Sequence, residues 1–222
     1  MNHKVVFIYG VKRTGTNLLR AILGSHSIIH SINKDANNID KVKPMISDNH
    51  ITCIKSHCTL EYLDDINRVY PDNKIICIVR DPRAVWCSRK YWDKRDIYDI
   101  QQVSKQWNKG LQEWSNIKDK YMTIKYEDLV SNPISITKEV CKYIGIEFES
   151  GMLNYDVNWG RKFKGGKYNT NRTNSSFKHE LSDKLIYTKT VDIWKTKLDR
   201  DEIEYIQDTC KDIMEEYEYR AI

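Results

Sequence analysis

The stretch Lys4 to Leu23 constrains this chain more than any other. A continuous apolar run, Val5 to Tyr9, ends at Gly10. A short basic, hydroxyl-bearing loop follows, Gly10 to Asn17. Leu18, Leu19, Ala21, Ile22 and Leu23 then begin a helical pattern. A buried strand, a glycine loop and a helix in that order make an anion cradle. Loop N–H groups and the positive end of the helix dipole converge on one point. The ligand this predicts is a phosphate or a group built like one.

The loop departs from the Walker A pattern G-x-x-x-x-G-K-[ST]. Gly10 and Gly15 keep the glycine spacing, but Thr16 stands where the lysine belongs and Asn17 follows. The cation has moved inside the loop, to Arg13, with Lys12 beside it. This disfavours an ordinary ATP or GTP enzyme.

Other short apolar runs recur at Ile51–Ile54, Ile75–Val79 and Tyr121–Ile124. Each has strand length, and several are apolar throughout, as in a parallel sheet covered on both faces. Helical patterns lie between them. Ile100, Val103, Trp107, Leu111 and Trp114 share one helical face, so these tryptophans read as core. Asn132-Pro133 predicts an N-cap and N1 proline, and Gly145 a stop. Ile203, Ile206, Cys210, Met214 and Tyr217 mark one face of an acidic helix. Strands alternating with helices over 222 residues predict a single domain, 1–222, of α/β class. The expected architecture is a three-layer, P-loop-like fold with a central parallel sheet flanked by helices. Residues 150–176, rich in Gly, Asn and Lys, read as a long loop.

Composition bounds the partners. No apolar run approaches the ~20 residues of a membrane span, and no secretory signal is visible, so a cytoplasmic protein without membrane attachment is expected. The six cysteines are scattered, with no C-x-x-C and no zinc-type His spacing, which predicts reduced thiols and no metal site. A net charge of +5 is too mild to predict a nucleic-acid partner. Its distribution is uneven: residues 160–197 hold ten Lys/Arg against three Asp/Glu, and 199–218 hold two against nine. The basic segment suits either an anionic ligand or a solvated surface.

A second site follows the Ile75–Val79 run. Arg80 ends that strand, Asp81 can cap a helix opening at Pro82, and Ser88 sits almost two turns along it. Both Arg80 and Ser88 can reach the crevice where parallel sheets bind ligands. An arginine fork and a hydroxyl suit a phosphate, and pairing of Arg80 with a buried carboxylate is an equal alternative.

These motifs together resemble the sulfotransferases that use 3′-phosphoadenosine 5′-phosphosulfate (PAPS). Arg13-Thr14-Gly15-Thr16 resembles the family's [KR]-[ST]-G-T, most like the Golgi and bacterial form G-V-P-R-S-G-T-T, with Lys12 and Asn17 as departures. Arg80, Pro82, Arg83 and Ser88 match its R-x-P-[RK] and following Ser. Lys55-Ser56-His57 resembles the K-[ST]-H of the cytosolic branch. Tyr126-Glu127-Asp128-Leu129 with Asn132-Pro133 resembles Y-E-D-L…N-P. Val191 to Lys195 resembles V-G-x-W-[KR] without its glycine, and with no R-K-G the nearest basic substitute is Lys189.

The resemblance implies that Lys12, Arg13, Thr14, Gly15, Thr16 and Asn17 grip the 5′-phosphosulfate and that Arg80 and Ser88 hold the 3′-phosphate. It implies Tyr126 against adenine, with Lys189 as a further contact, and His57 as catalytic base. Arg13 then acts as an electrostatic clamp on the leaving phosphate, since an arginine does not give up its proton near neutral pH. Lys55 falls on the same side of a regular strand as His57, so both can reach the site, and Lys55 joins His57 and Arg13 as a candidate catalytic residue. Asp35 is the fallback base, and His26 and His30 are either acceptor contacts or ordinary loop residues. The implied acceptor is a hydroxyl on a carbohydrate or a small-molecule alcohol, with no metal. Two alternatives remain: a nucleotide or small-molecule kinase with a degenerate loop, and a non-catalytic binder of PAP (PAPS without its sulfate) or of sulfated glycan.

Overall fold

In the computed structural model, which describes residues 4–35, 43, 46, 50–56, 60–92, 99–154 and 188–222, the first strand sets the pattern of the molecule. All of β1 (Val5–Tyr9) is buried. Val5, Phe7 and Tyr9 face one core cluster, and Val6 and Ile8 face another. Strand β4 (Lys74–Val79) repeats this, with Ile75, Cys77 and Val79 on the first side and Ile76 and Ile78 on the second. The two-residue period of a strand sends neighbours to opposite faces, so an uninterrupted apolar run requires cover on both.

Strands β2 (Ile29–Asp35), β3 (Ile51–Ser56) and β5 (Met122–Lys125) complete a five-stranded sheet of order β2-β3-β1-β4-β5. Each neighbouring pair is parallel. One face is covered by α1 (Thr16–Gly24), α5 (Tyr126–Ser131) and α6 (Pro133–Ile144), through residues such as Leu19, Ile22, Leu129 and Val140. The other carries α2 (Leu60–Val69), α3 (Pro82–Trp92) and α4 (Ile100–Ser115). The carboxyl-terminal helices α8 (Arg200–Thr209) and α9 (Lys211–Glu216) join them there, after the short α7 (Trp194–Lys197). The expected three-layer α/β fold is the one observed.

Helix α4 is the brace of its layer. Val103, Trp107, Leu111 and Trp114 are buried along one stripe, as their spacing predicted. Trp107 Nε1 donates to the Arg80 carbonyl at 2.9 Å, and Tyr9 Oη donates to the Gly110 carbonyl at 3.1 Å. One helix thus pins the ends of both β1 and β4, the strands that lead into the two sequence motifs.

Three local expectations need adjustment. Strand β2 was not foreseen; His30 lies on it, exposed, rather than in a loop. Asn132 stands at the N-cap of α6, but its side chain makes no cap bond. The acidic carboxyl-terminal helix is two helices, separated at Cys210, where φ is −108° and ψ 11°. Gly145 stops α6 in the left-handed conformation as expected, with φ 82°. Among the described residues, no helix is long and apolar enough to cross a membrane.

Candidate functional site

Strand β1 connects toward β2 and β3, whereas β4 leads away toward β5. Adjacent parallel strands whose connections diverge leave a crevice beyond their carboxyl ends. The loop after β1 and Arg80 after β4 both open into it.

The loop is held tightly by its glycines. A Cβ at Gly10 would lie 2.7 Å from Thr14 Oγ1 and 2.9 Å from the Ile78 carbonyl. Gly15 has φ 105°, and a Cβ there would lie 2.5 Å from Tyr126 Cδ2. Arg13 also takes a left-handed φ, 79°, unusual for a residue with a side chain. The Thr14 hydroxyl is fully buried and donates to the Val11 carbonyl at 2.8 Å, so it closes the turn from within. Helix α1 begins at Thr16 with no side-chain cap and no carboxylate in its first turn. Its first amides and dipole are therefore available to an anion, the reverse of α8, which Asp199 caps.

Two arginines meet over this loop. Arg80 is 6% exposed; its Nη1 donates to the Arg13 carbonyl at 3.0 Å and its Nη2 to the Thr190 carbonyl at 2.8 Å. Its Nε is buried and has no hydrogen-bond partner among the described residues. Arg80 thus pairs with main-chain oxygens, not with a carboxylate, among the described residues. Arg13 Nε in turn donates to Ser88 Oγ, on α3, at 2.9 Å. The structure brings Arg13, Arg80 and Ser88 into one cluster, with exposed Lys12 and Asn17 at the loop's rim. Asn17 Oδ1 accepts from buried Arg20 Nη2 at 3.2 Å, which fixes the rim of the loop.

The neighbouring Arg83 has a different part. It is 3% exposed, its Nη2 lies 2.7 Å from Asp81 Oδ2, and its Nη1 donates to Gln207 Oε1 at 2.9 Å. Asp81 Oδ1 also accepts the Arg83 N–H at 2.8 Å, which orders the start of α3. Glu127 Oε1 accepts the Asp81 N–H at 3.0 Å, and Glu127 Oε2 accepts from Tyr219 Oη at 3.0 Å. Burial raises the Glu127 pKa from its ordinary value. These residues hold the strand end that carries Arg80.

Tyr126 lies beneath the cluster. Its ring is 4.2 Å from Arg80 Cζ, and its hydroxyl is 2.7 Å from Thr190 Oγ1. Thr190 belongs to the 3-10 turn Thr188–Thr190 and is the site residue that sequence reading missed. Only its neighbour Lys189 stood out there, by charge; Thr190 acts through its carbonyl and one hydroxyl, which carry no distinctive pattern. The Lys189 side chain lies outside the described residues, as do His57 and the stretch 155–187. Lys55 is 5% exposed near the end of β3, in register with Ile8 of β1. Asp35 is paired with Lys55 in the backbone register of β2 and β3. His26 is buried; its Nε2 lies 2.8 Å from the Glu147 carbonyl and its Nδ1 accepts the Ile28 N–H at 3.2 Å, a structural linkage.

An uncapped helix terminus, a glycine cradle, two arginines and a hydroxyl can hold a ligand with two anionic groups. The buried Arg80 Nε, unpartnered among the described residues, fits such a ligand. Among the described residues, no cluster of His, Cys, Asp or Glu is arranged to hold a metal ion.

Known proteins share this arrangement of strands. The sulfotransferase domain of a Synechococcus olefin synthase superposes with a TM-score of 0.64 at 17% identity, covering 92% of this chain and 94% of that one. A mouse sulfotransferase complexed with PAP gives a TM-score of 0.64 at 16% identity, covering 97% of this chain and 86% of that one. In sequence, a zebrafish carbohydrate sulfotransferase 1 is 28% identical over an alignment 173 residues long that covers 67% of this chain. The match spans 39% of that relative's length. Residues 39–150, which contain Arg80, Ser88 and Tyr126, match the profile of the Sulfotransferase family. Since that match extends over half of the chain, this protein belongs to the sulfotransferase family.

Proposed function

We propose that this chain transfers the sulfuryl group of PAPS to an acceptor hydroxyl. The observation that carries the reading is the joining of the two motifs: Arg13 donates to Ser88, and Arg80 to the Arg13 carbonyl. A ligand with a 5′-phosphosulfate and a 3′-phosphate needs two anion sites at a set separation on one rigid base. In this reading the loop amides, Arg13 and the start of α1 hold the 5′-phosphosulfate, and Arg80 and Ser88 hold the 3′-phosphate.

The acceptor oxygen attacks sulfur in line, the bond from sulfur to the phosphate oxygen breaks, and the acceptor proton passes to His57. PAP leaves with the added charge on its 5′-phosphate. The Arg13 guanidinium stabilises that charge without proton transfer. Similarity to a carbohydrate sulfotransferase supports a carbohydrate acceptor, with a small-molecule alcohol as the alternative.

Calorimetric titration with PAP, with ATP and with ATP plus magnesium tests the binding half. The expected result is saturable PAP binding without magnesium, and ATP binding without PAP binding would instead indicate a kinase. Transfer from labelled PAPS across a panel of sugars and simple alcohols tests the chemistry. PAP binding without turnover on any acceptor would indicate a binding protein.

A further inference from the structure

We infer that Tyr126, together with Thr190, is a positioning residue for Arg80, so that it governs affinity for the ligand's 3′-phosphate and not for its adenine. The inference rests on the proposed PAPS site and refines it. The Tyr126 ring lies 4.2 Å from Arg80 Cζ, and its hydroxyl meets Thr190 Oγ1 at 2.7 Å. The Thr190 carbonyl accepts from Arg80 Nη2 at 2.8 Å. Tyr126 therefore supports the guanidinium twice: directly, through its π face, and indirectly, through the residue that receives Nη2.

The same ring closes against the loop. A Cβ at Gly15 would lie 2.5 Å from Tyr126 Cδ2, so ring and glycine are in close contact. With Arg80 over the ring and Gly15 against its edge, Tyr126 is only 8% exposed. Little π surface remains on which a purine could stack.

Guanidinium orientation matters because the fork is planar. Arg has five N–H donors in one plane and grips a phosphate only when that plane is aimed correctly. In this structure two of those donors go to the Arg13 and Thr190 carbonyls, and Nε has no partner among the described residues. The aromatic face beneath holds the plane, so the remaining donors point in a fixed direction. Removing the ring leaves the charge and the bond to the Arg13 carbonyl in place but takes away the face that holds the guanidinium plane.

The test compares PAP with adenosine 5′-monophosphate (AMP), which lacks the 3′-phosphate, by calorimetry. In Tyr126→Leu, PAP affinity is expected to fall about tenfold while AMP affinity stays within about twofold. In an Arg80→Ala background, Tyr126→Leu should add no further loss, because its effect passes through Arg80. Tyr126→Phe keeps the core filled and removes only the hydroxyl contact with Thr190. Its PAP-to-AMP affinity ratio should fall about threefold, less than in the leucine variant. This milder variant carries the test if Tyr126→Leu does not fold, and an unchanged ratio in it overturns the inference. Equal losses for PAP and AMP would make Tyr126 a nucleoside contact and also overturn it. Wild-type protein that binds PAP no more tightly than AMP would instead remove Arg80 from the 3′-phosphate, and this inference with it.

Discussion

Arg13 Nε and Ser88 Oγ, 75 residues apart in sequence, lie 2.9 Å apart at the floor of the candidate site. The bond joins the loop after β1 to the helix after β4, so a change at either proposed anion site touches the other. Arg13→Ala is expected to weaken PAP binding by roughly tenfold or more, and Ser88→Ala by several-fold, in line with a charged and a neutral hydrogen bond. Unchanged affinities in calorimetry would remove both residues from the site. Because Arg13 has φ 79°, Arg13→Gly should melt no lower than Arg13→Ala while binding PAP as weakly.

Gly15→Ala combines a left-handed backbone with a contact of 2.5 Å to Tyr126. The neighbour is a packed ring, which cannot swing aside as a flexible side chain could. Destabilisation of about 1–3 kcal/mol is expected, read as a lowered denaturant midpoint. Wild-type stability would mean that the loop has another conformation.

The two arginines of the Arg80–Arg83 motif should separate cleanly. Arg83 and Asp81 form a buried ion pair, and removing one member strands the other's charge. Arg83→Ala is expected to cost about 3–5 kcal/mol of stability while the folded fraction retains PAP affinity. Arg80→Ala should do the opposite, with roughly tenfold or greater loss of PAP affinity and a smaller change in stability. A large affinity loss in Arg83→Ala at a temperature where it is folded would contradict this division.

His57→Ala should lower turnover with labelled PAPS by about 10²–10⁴ while PAP affinity stays nearly intact, as for a general base. Near-wild-type turnover would exclude His57 as the base and direct attention to Asp35.

Buried thiols set an alkaline limit on stability. Burial raises the pKa of Cys53 and Cys210 to about 12, and of Cys87 and Cys141 to about 11. Burial also holds Cys77 well above its ordinary value. Unfolded thiols ionise near pH ~8.5. Above that pH the native state binds more protons than the unfolded state, so stability falls as pH rises toward the folded values. The denaturant midpoint should therefore decline between pH 8 and pH 10, and these five thiols should resist alkylation in native protein. Rapid labelling of any of them at pH 8 would show that it is open to solvent.

How much was legible in the sequence differs between elements for physical reasons. Val5–Tyr9 and Ile75–Val79 were readable because a central parallel strand is apolar on both faces. Ile29–Asp35 was not, because it lies at the sheet edge, beside β3 alone, and its Ile-His-Ser-Ile-Asn-Lys-Asp sequence has only two apolar residues, three apart, with no two-residue alternation to mark a strand. The acidic carboxyl-terminal stripe read as one helix because periodicity records which side is buried and does not register a break. At Cys210 the backbone turns, yet Ile206, Cys210 and Met214 still reach the same core.

The amino-acid sequence alone marked the loop from Gly10 to Asn17 as a candidate cradle for an anion, because glycine spacing, a displaced cation and a following helix are local properties. It also marked Arg80 and Ser88 as a second pair, since strand and helix lengths place them near one sheet edge. Only the tertiary structure decided which arginine faces which partner. Arg80 rests on Tyr126 and reaches the Arg13 and Thr190 carbonyls, whereas Arg83 is held by Asp81. These choices depend on where Trp107, Tyr126 and the turn Thr188–Thr190 pack around the sheet. Such contacts join residues far apart in the chain, and no periodicity or motif within a single segment encodes them.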